Sequence, residues 1–173
     1  MIFFMECGSL QVECVMRFPV FWLIGMSFLM AADSKQEEAA KELEKLEGKW
    51  RFVAIVSEGK DIPEDVVKAA RLTISGKRFT LQMNTETHTG IITLNPSAYP
   101  KTIDVTYNTG PERGKKALGI YELEYSKLKV CMGIVGAARP TKFVSKPQSG
   151  HVLETLVREK PTAKRPSQGK DSP

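Results

Sequence analysis

Between residues 49 and 158 the chain is a succession of short segments in which apolar and polar residues alternate. Successive side chains of a strand point to opposite faces of its sheet, so each segment predicts a strand with one apolar face. The clearest such faces are Phe79, Leu81 and Met83; Ile103, Val105 and Tyr107; and Leu128, Val130 and Met132. One buried and one solvated face is typical of antiparallel sheets, so the pattern predicts an all-β fold.

Turn-forming residues divide this region about every 8–12 residues, a spacing typical of a β-barrel or a β-sandwich. Parallel strands need a crossover connection between them, usually a helix, and most of the predicted strands have no helix between them, which excludes a parallel α/β sheet. The predicted strands cover residues 50–57, 71–75, 77–83, 87–94, 102–107, 116–124, 127–132 and 151–158, and residues 141–145 form either a further short strand or part of a loop. We therefore expect an antiparallel, eight-stranded barrel.

A short N-terminal helix is predicted over residues 33–47, where the apolar residues Ala39, Leu43 and Leu46 recur at helical spacing. Asp33 or Ser34 is placed to cap its start, and Gly48 to end it. We expect the apolar stripe to lie across one end of the barrel, because three residues are too few for a coiled coil.

A second short helix is predicted after the first strand. Asp61 is placed as its cap, Pro63 falls in its first turn, and the helix ends near Ala70.

The N-terminal residues predict a leader for export. Residues 18–30 form an apolar run that follows Arg17 and precedes Ala31 and Ala32, the plan of a signal peptide, and the run is short for a membrane span. An uncleaved N-terminal anchor is the alternative. We interpret residues 1–32 as this leader or anchor, with residues 1–15 as an extension ahead of a start at Met16. Residues 33–160 then form the barrel domain, and the polar tail 161–173 is expected to be disordered. The predicted location is the periplasm, the envelope or the extracellular space.

Composition and charge narrow the function classes. The net charge of +5 is spread along the chain without a clustered basic face, which argues against nucleic-acid binding. Cys7 and Cys14 fall in the predicted leader, which leaves Cys131 as a single cysteine. A single cysteine offers neither an internal disulfide nor a metal cluster, so we interpret Cys131 as a small buried apolar residue.

Residues of catalytic or metal-binding type do not form a recognisable motif. His88 and His151 lack the spacing of a zinc site, and a hydrogen-bonded or solvated role is favoured over that of a haem ligand. Glu122, Glu124 and Glu154 are the candidates for paired catalytic carboxylates. Glu122 and Glu124 share a strand face and are interpreted as solvated, since the sequence indicates no apolar site that would raise a pKa. Residues 110–115 have the wrong glycine spacing for a phosphate loop and predict a turn. We therefore predict no enzyme activity, no metal and no cofactor.

Gly48, Lys49 and Trp50 enter the first strand, and Arg158 ends the last. In a closed barrel these strands are neighbours, which would bring the Arg158 guanidinium onto the Trp50 ring. The spacing alone is equally compatible with an unrelated tryptophan and a surface arginine. A glycine-x-tryptophan with such an arginine resembles the lipocalin and calycin signature.

Six ordered stretches extend this likeness to an uncharacterised, planctomycete-type family of lipocalin-like domains. They are LEGKW (46–50), IDVTYNTGPERGK (103–115), GIYEL (119–123), LKVCM (128–132), RPTKF (139–143) and LVREK (156–160). The turn at Tyr125 and Ser126 departs from the glycine–aspartate turn expected there. The resemblance implies a lipocalin-like barrel over about residues 43–160 and brings no established activity.

Two functions follow from these expectations. The first is binding of a small apolar ligand at the mouth of an exported barrel. Its candidate lining is Trp50, Phe52, Phe79, Leu81, Met83, Ile103, Val105 and Tyr107. The alternative is a non-enzymatic envelope or extracellular interaction protein, whose barrel is filled by side chains and whose segments 108–115 and 133–148 contact a protein partner. Short strands leave little room inside, which favours a mostly filled interior.

Overall fold

The computed structural model describes residues 26–160, with side chains from residue 34 onward. The chain divides into two compact units, Met1–Asp33 and Ser34–Pro173, and only the start of one helix is described in the first. The described elements are α1 (Met26–Leu46), β1 (Gly48–Ser57), β2 (Lys60–Asp61), α2 (Glu64–Ala69), β3 (Arg71–Ser75), β4 (Arg78–Met83), β5 (Glu86–Asn95), β6 (Thr102–Tyr107), β7 (Lys116–Glu124), β8 (Lys127–Gly133) and β9 (His151–Arg158).

The strands form a closed antiparallel barrel. From β3 to β9 each strand pairs with the next along the chain, β1 pairs with β3, and β1 also pairs with β9, which closes the sheet. β2 is a two-residue addition that pairs with the end of β1. Closure removes the unpaired strand edges of an open sheet, and it confirms the predicted eight-stranded, lipocalin-like architecture.

A β-bulge in β1 changes which residues face the interior. The register of β1 against β9 shifts between Phe52 and Ala54, and Val53 at the bulge is exposed. Trp50 and Phe52 are buried before the bulge and Ile55 is buried after it, so the inward side changes from even to odd positions. A strict alternation would have left Ile55 in solvent, and the extra residue at the bulge corrects this.

One end of the barrel is closed by α1. Leu43 and Leu46 are buried against the core, as their helical spacing predicts, and Ala39 is half-buried. We call this the closed end. The opposite end carries the turn between β4 and β5 and the loop between β6 and β7, which confirms the turn predicted at residues 110–115.

Several predicted details are wrong at the level of local structure. α1 is described from Met26 onward, so Asp33 and Ser34 lie within the helix and do not cap its start. Asp61 belongs to β2, and the N-cap of α2 is Pro63, which has no capping side-chain bond. Pairing with β1 decides the place of Asp61, a tertiary contact that overrides its local preference for a cap.

Residues 141–145 are a loop and not a strand. This loop belongs to the connection between β8 and β9, which packs on the outside of the barrel. The predicted leader (1–32) and tail (161–173) lie outside the described residues, except for the start of α1. Over the described residues, none of the helices combines the length and the apolar character that crossing a membrane requires.

Candidate functional site

The glycine, tryptophan and arginine of the sequence signature meet at the closed end. Trp50 pairs directly with Arg158 in the sheet, and the guanidinium lies 4.2 Å from the centroid of the Trp50 ring. The same guanidinium donates hydrogen bonds to the carbonyl oxygens of Lys45 and Glu47, at the end of α1. A positive group at a helix C-terminus satisfies carbonyls that lack helical partners. Arg158 therefore joins the last strand to the closing helix, which is a structural role.

Gly48 and Trp50 complete this junction. Trp50 is fully buried, and its Nε1 donates to the carbonyl oxygen of Leu46 at 2.8 Å. Gly48 has a φ of +122°, and a Cβ there would lie 2.9 Å from Nη1 of Arg158. Both the backbone conformation and the approach of the guanidinium thus require glycine.

A buried ion pair also anchors α1. Glu42 is 5% exposed and contacts Lys45 at 2.9 Å and Lys101 of the connection between β5 and β6. Burial by itself would raise the pKa of Glu42, but the hydrogen bonds and charges of the two lysines outweigh it, so the pKa lies below its ordinary value. The contacts at the closed end therefore hold α1 against the barrel.

The barrel interior contains a small cavity of about 80 Å³. Its lining is apolar except for one tyrosine and one glutamate: Phe52, Leu72, Ile74, Phe79, Leu81, Ile92, Ile103, Val105, Tyr107, Leu128, Val130, Met132 and Glu154. Every strand of the closed barrel except β7 contributes to it. A fatty-acid or haem pocket needs several hundred Å³, so this cavity accepts only a compact molecule.

Six of the eight predicted lining residues surround this cavity, and two do not. Phe52, Phe79, Leu81, Ile103, Val105 and Tyr107 line it. Trp50 instead lies beneath α1, where it belongs to the closed end. Met83 packs against the core as a partly buried residue near the turn between β4 and β5.

Glu154 is the ionisable group that sequence reasoning missed. It lies in the middle of β9, between Ile55 of β1 and Val130 of β8 in the sheet register, and it is half-buried where it lines the cavity. Among the described residues it has neither a hydrogen bond nor an ion pair. Burial raises the pKa of Glu154 from 4.5 to about 7. The sequence indicated no apolar site around these carboxylates, and for Glu154 that expectation is wrong, whereas Glu122 and Glu124 are exposed.

A signal for Glu154 was present in the sequence. Arg158 was expected on the Trp50 ring, and residues two and four positions apart on a strand share a face. Glu154 therefore had to lie on the same inward face as Leu156 and Arg158. The sequence could not show how apolar its surroundings are, because these come from the other strands.

Tyr107 is the second polar residue of the cavity. Its ring packs edge-to-face against Phe79, with centroids 5.9 Å apart. Burial raises the pKa of Tyr107, and the negative charges of Glu154 and Glu112 raise it further. Tyr107 is thus a neutral phenol at physiological pH.

The two histidines lie outside the cavity lining. His88 contacts Glu86 at 3.2 Å and lies beside the Tyr107 ring, and Nε2 of His151 is 3.1 Å from the carbonyl oxygen of Ala138. Within residues 34–160 the structure has no group of three or more His, Cys, Asp or Glu placed to hold a metal ion. Both histidines have the hydrogen-bonded role that the sequence favoured.

The connection between β8 and β9 packs on the outer face of the barrel. Arg139 pairs with Asp104 of β6 at 2.6 Å, and the Ser145 hydroxyl donates to the carbonyl oxygen of His151 at 2.7 Å. Beneath it Cys131 is fully buried, with its thiol toward the carbonyl oxygen of Val144, and burial raises the pKa of that thiol. Cys131 is therefore the small buried residue that was predicted.

A wider groove of about 690 Å³ lies on the outer surface, between β7 and two loops. Residues 99–101, 121–124 and 141–143 line it, with Tyr99 fully exposed. None of the predicted ligand-lining residues belongs to this groove.

Comparison with protein-family models, with curated proteins and with solved structures finds no match to this chain.

Proposed function

We propose that the protein binds a compact ligand inside its barrel, with Glu154 as the polar group that orients it. The observation that carries this proposal is the unpaired Glu154 carboxyl in an otherwise apolar cavity of about 80 Å³. An apolar pocket with one or two convergent polar groups is the usual form of a small-molecule site.

Stability alone does not account for a glutamate at this position. A half-buried carboxyl group without a partner in largely apolar surroundings costs free energy, and a leucine of similar size would avoid that cost. Groups with strongly perturbed pKa values in cavities are more frequent at functional sites than elsewhere. A ligand that pairs with Glu154 would supply the interaction that the protein itself leaves unmade.

The proposal concerns binding and not catalysis. General acid–base catalysis at Glu154 would need a second group positioned on the reacting atoms. Tyr107 is the one other ionisable residue among those that line the described cavity, and its raised pKa keeps it protonated. Export and membership of a lipocalin-like family stay predictions from the sequence.

The second candidate is the interaction protein with a filled barrel. The small volume of the cavity favours it, because most of the interior is already occupied by side chains. In that case segments 108–115 and 133–148 would contact the partner, and Glu154 would have no ligand to recognise.

Ligand-observed NMR distinguishes the two candidates. Wild-type protein is screened against alcohols, amines and carboxylic acids of three to five non-hydrogen atoms, and the screen is repeated on Val105→Phe, which fills the cavity. Val53→Phe adds the same ring on the exposed outer side of β1 and serves as control. We expect binding to the wild type and the control and none to Val105→Phe. Glu154→Leu replaces Val105→Phe if the latter does not fold. If the wild type binds no member of the panel, the proposal is wrong and the filled scaffold stands.

A further inference from the structure

Given the proposed binding site, we propose that its ligand is a compact alkylammonium cation. The inference rests on one juxtaposition inside the barrel: a carboxylate, Glu154, and three aromatic residues, Phe52, Phe79 and Tyr107, line the same small cavity.

The charges around the cavity select a cation. Glu154 is the one acidic residue of the described lining, and the lining contains no lysine, arginine or histidine. Arg158 lies on the same face of β9, but it is held over Trp50 and bonded to the carbonyls at the end of α1. The fully buried Leu156 separates it from Glu154. An anionic ligand would therefore meet one negative charge and no compensating positive charge.

The aromatic residues favour the same class of ligand. The face of an aromatic ring carries negative charge density and attracts an ammonium group, most strongly where water is excluded. Phe52 is 3% exposed and Phe79 is 5% exposed, and Phe79 packs edge-to-face with Tyr107. A carboxylate with several aromatic rings is a common arrangement for recognising organic cations, and the alkyl part of the ligand would contact the remaining aliphatic lining.

The volume limits the size of the cation. An apolar cavity of about 150 Å³ accommodates benzene, with six non-hydrogen atoms. The present cavity has about 80 Å³, which corresponds to roughly three or four such atoms. Propylammonium fits this limit, and bulky quaternary ammonium ions exceed it.

Binding of such a cation would depend on pH through Glu154. The groups that face Glu154 from β1, β3 to β6 and β8 are apolar, apart from Tyr107, which stays neutral. Outside the cavity, the titratable groups close to Tyr107 form two ion pairs, His88 with Glu86 and Glu112 with Lys115. Burial raises the pKa of Glu154 to about 7, so the ligand-free carboxyl binds a proton below that pH. The cation must displace this proton, and its affinity falls about tenfold for each pH unit below 7.

Titration calorimetry with three matched probes tests the inference. Propylammonium, 1-propanol and acetate are of similar size but are positive, neutral and negative. At pH 8.5 and matched ionic strength, we expect propylammonium to bind the wild-type protein at least tenfold more tightly than 1-propanol, and acetate not to bind. Propylammonium should bind about 100-fold more weakly at pH 5, and His88→Gln should show the same pH dependence.

Two charge-matched variants separate the site from the surface. Glu154→Gln should lose at least tenfold in affinity for propylammonium while keeping its affinity for 1-propanol. Glu122→Gln, which removes an exposed carboxylate from the outer face of β7, should leave both affinities unchanged. If 1-propanol or acetate binds best, the cation inference is wrong and interior binding stands. If none of the three probes binds, the cation inference is wrong, and interior binding fails as well only if the wider NMR panel is also negative.

Discussion

Glu154→Gln should change how the stability of the protein depends on pH. In the folded state the Glu154 carboxyl keeps its proton up to a pKa of about 7, whereas its ordinary value is 4.5. Between these two values the folded state binds more protons than the unfolded state. The stabilisation by the bound proton is therefore complete below pH 4.5 and is lost as the pH rises through 7.

The magnitude follows from the difference between the two pKa values. A pKa of about 7 in place of 4.5 corresponds to about 3 kcal/mol, a large share of the free energy of unfolding of a small domain. Wild-type protein should lose this amount between pH 4.5 and pH 8.5 relative to Glu154→Gln, whose side chain does not titrate. The quantity to compare is the difference in free energy of unfolding between wild type and Glu154→Gln, because Glu42, with its lowered pKa, changes the pH dependence of stability in the opposite direction in both proteins.

Urea unfolding at several pH values between 4.5 and 8.5 measures this difference. Glu122→Gln is the matched control, since it removes a carboxylate from an exposed position on β7. Its difference from the wild type should stay within about 0.5 kcal/mol at every pH. If Glu154→Gln and the wild type show parallel pH profiles, Glu154 is hydrated in the folded protein, and the reasoning about its apolar surroundings is refuted.

Three further predictions concern the fold. Arg158→Lys should lower the free energy of unfolding, measured by urea denaturation, by about 2 kcal/mol, because lysine lacks the planar guanidinium that donates to two carbonyl oxygens. The control Arg113→Lys, at an exposed position, should change it by less than about 0.5 kcal/mol. Gly90→Ala should cost about 1–3 kcal/mol by the same measurement, because its Cβ would overlap a carbonyl oxygen of β6 and a phenylalanine ring of β4. The control Gly76→Asn should leave the free energy of unfolding nearly unchanged, because the added atoms meet open space and asparagine tolerates the positive φ. If Gly76→Asn and Gly90→Ala lowered the free energy of unfolding equally, the packing argument would be refuted. The buried Cys131 thiol should not react with iodoacetamide in the native protein and should react after unfolding, with labelling measured by peptide mass spectrometry. Rapid labelling of the native protein would contradict its burial.

The sequence alone determined the barrel and most of its strands. The predicted bounds of β3, β6, β7 and β9 agree with the structure. β3 and β6 alternate strictly and are followed by the turn residues Gly76 and Asn108, so their local pattern and their tertiary environment favour the same conformation. The contact of Arg158 with Trp50 was one of two alternatives that the sequence left open, and closure of the barrel, which makes the first and last strands neighbours, decided for it.

Features that depend on other strands were decided only by the tertiary structure. The bulge at Val53 returns Ile55 to the interior, although nothing in the local alternation marks it. Asp61 pairs with β1 in place of capping α2. The volume of the cavity is what remains after side chains from seven strands have packed, so no single segment encodes it.

For Glu154, the sequence and the tertiary structure decided different properties of the same residue. The sequence determined its inward direction, because Glu154 shares a strand face with Arg158. Only the tertiary structure decided its chemistry, because the pKa of a carboxyl group depends on every group around it in space. Strands distant in the chain supply those surroundings: apolar side chains, aromatic rings and no counter-charge in the described lining.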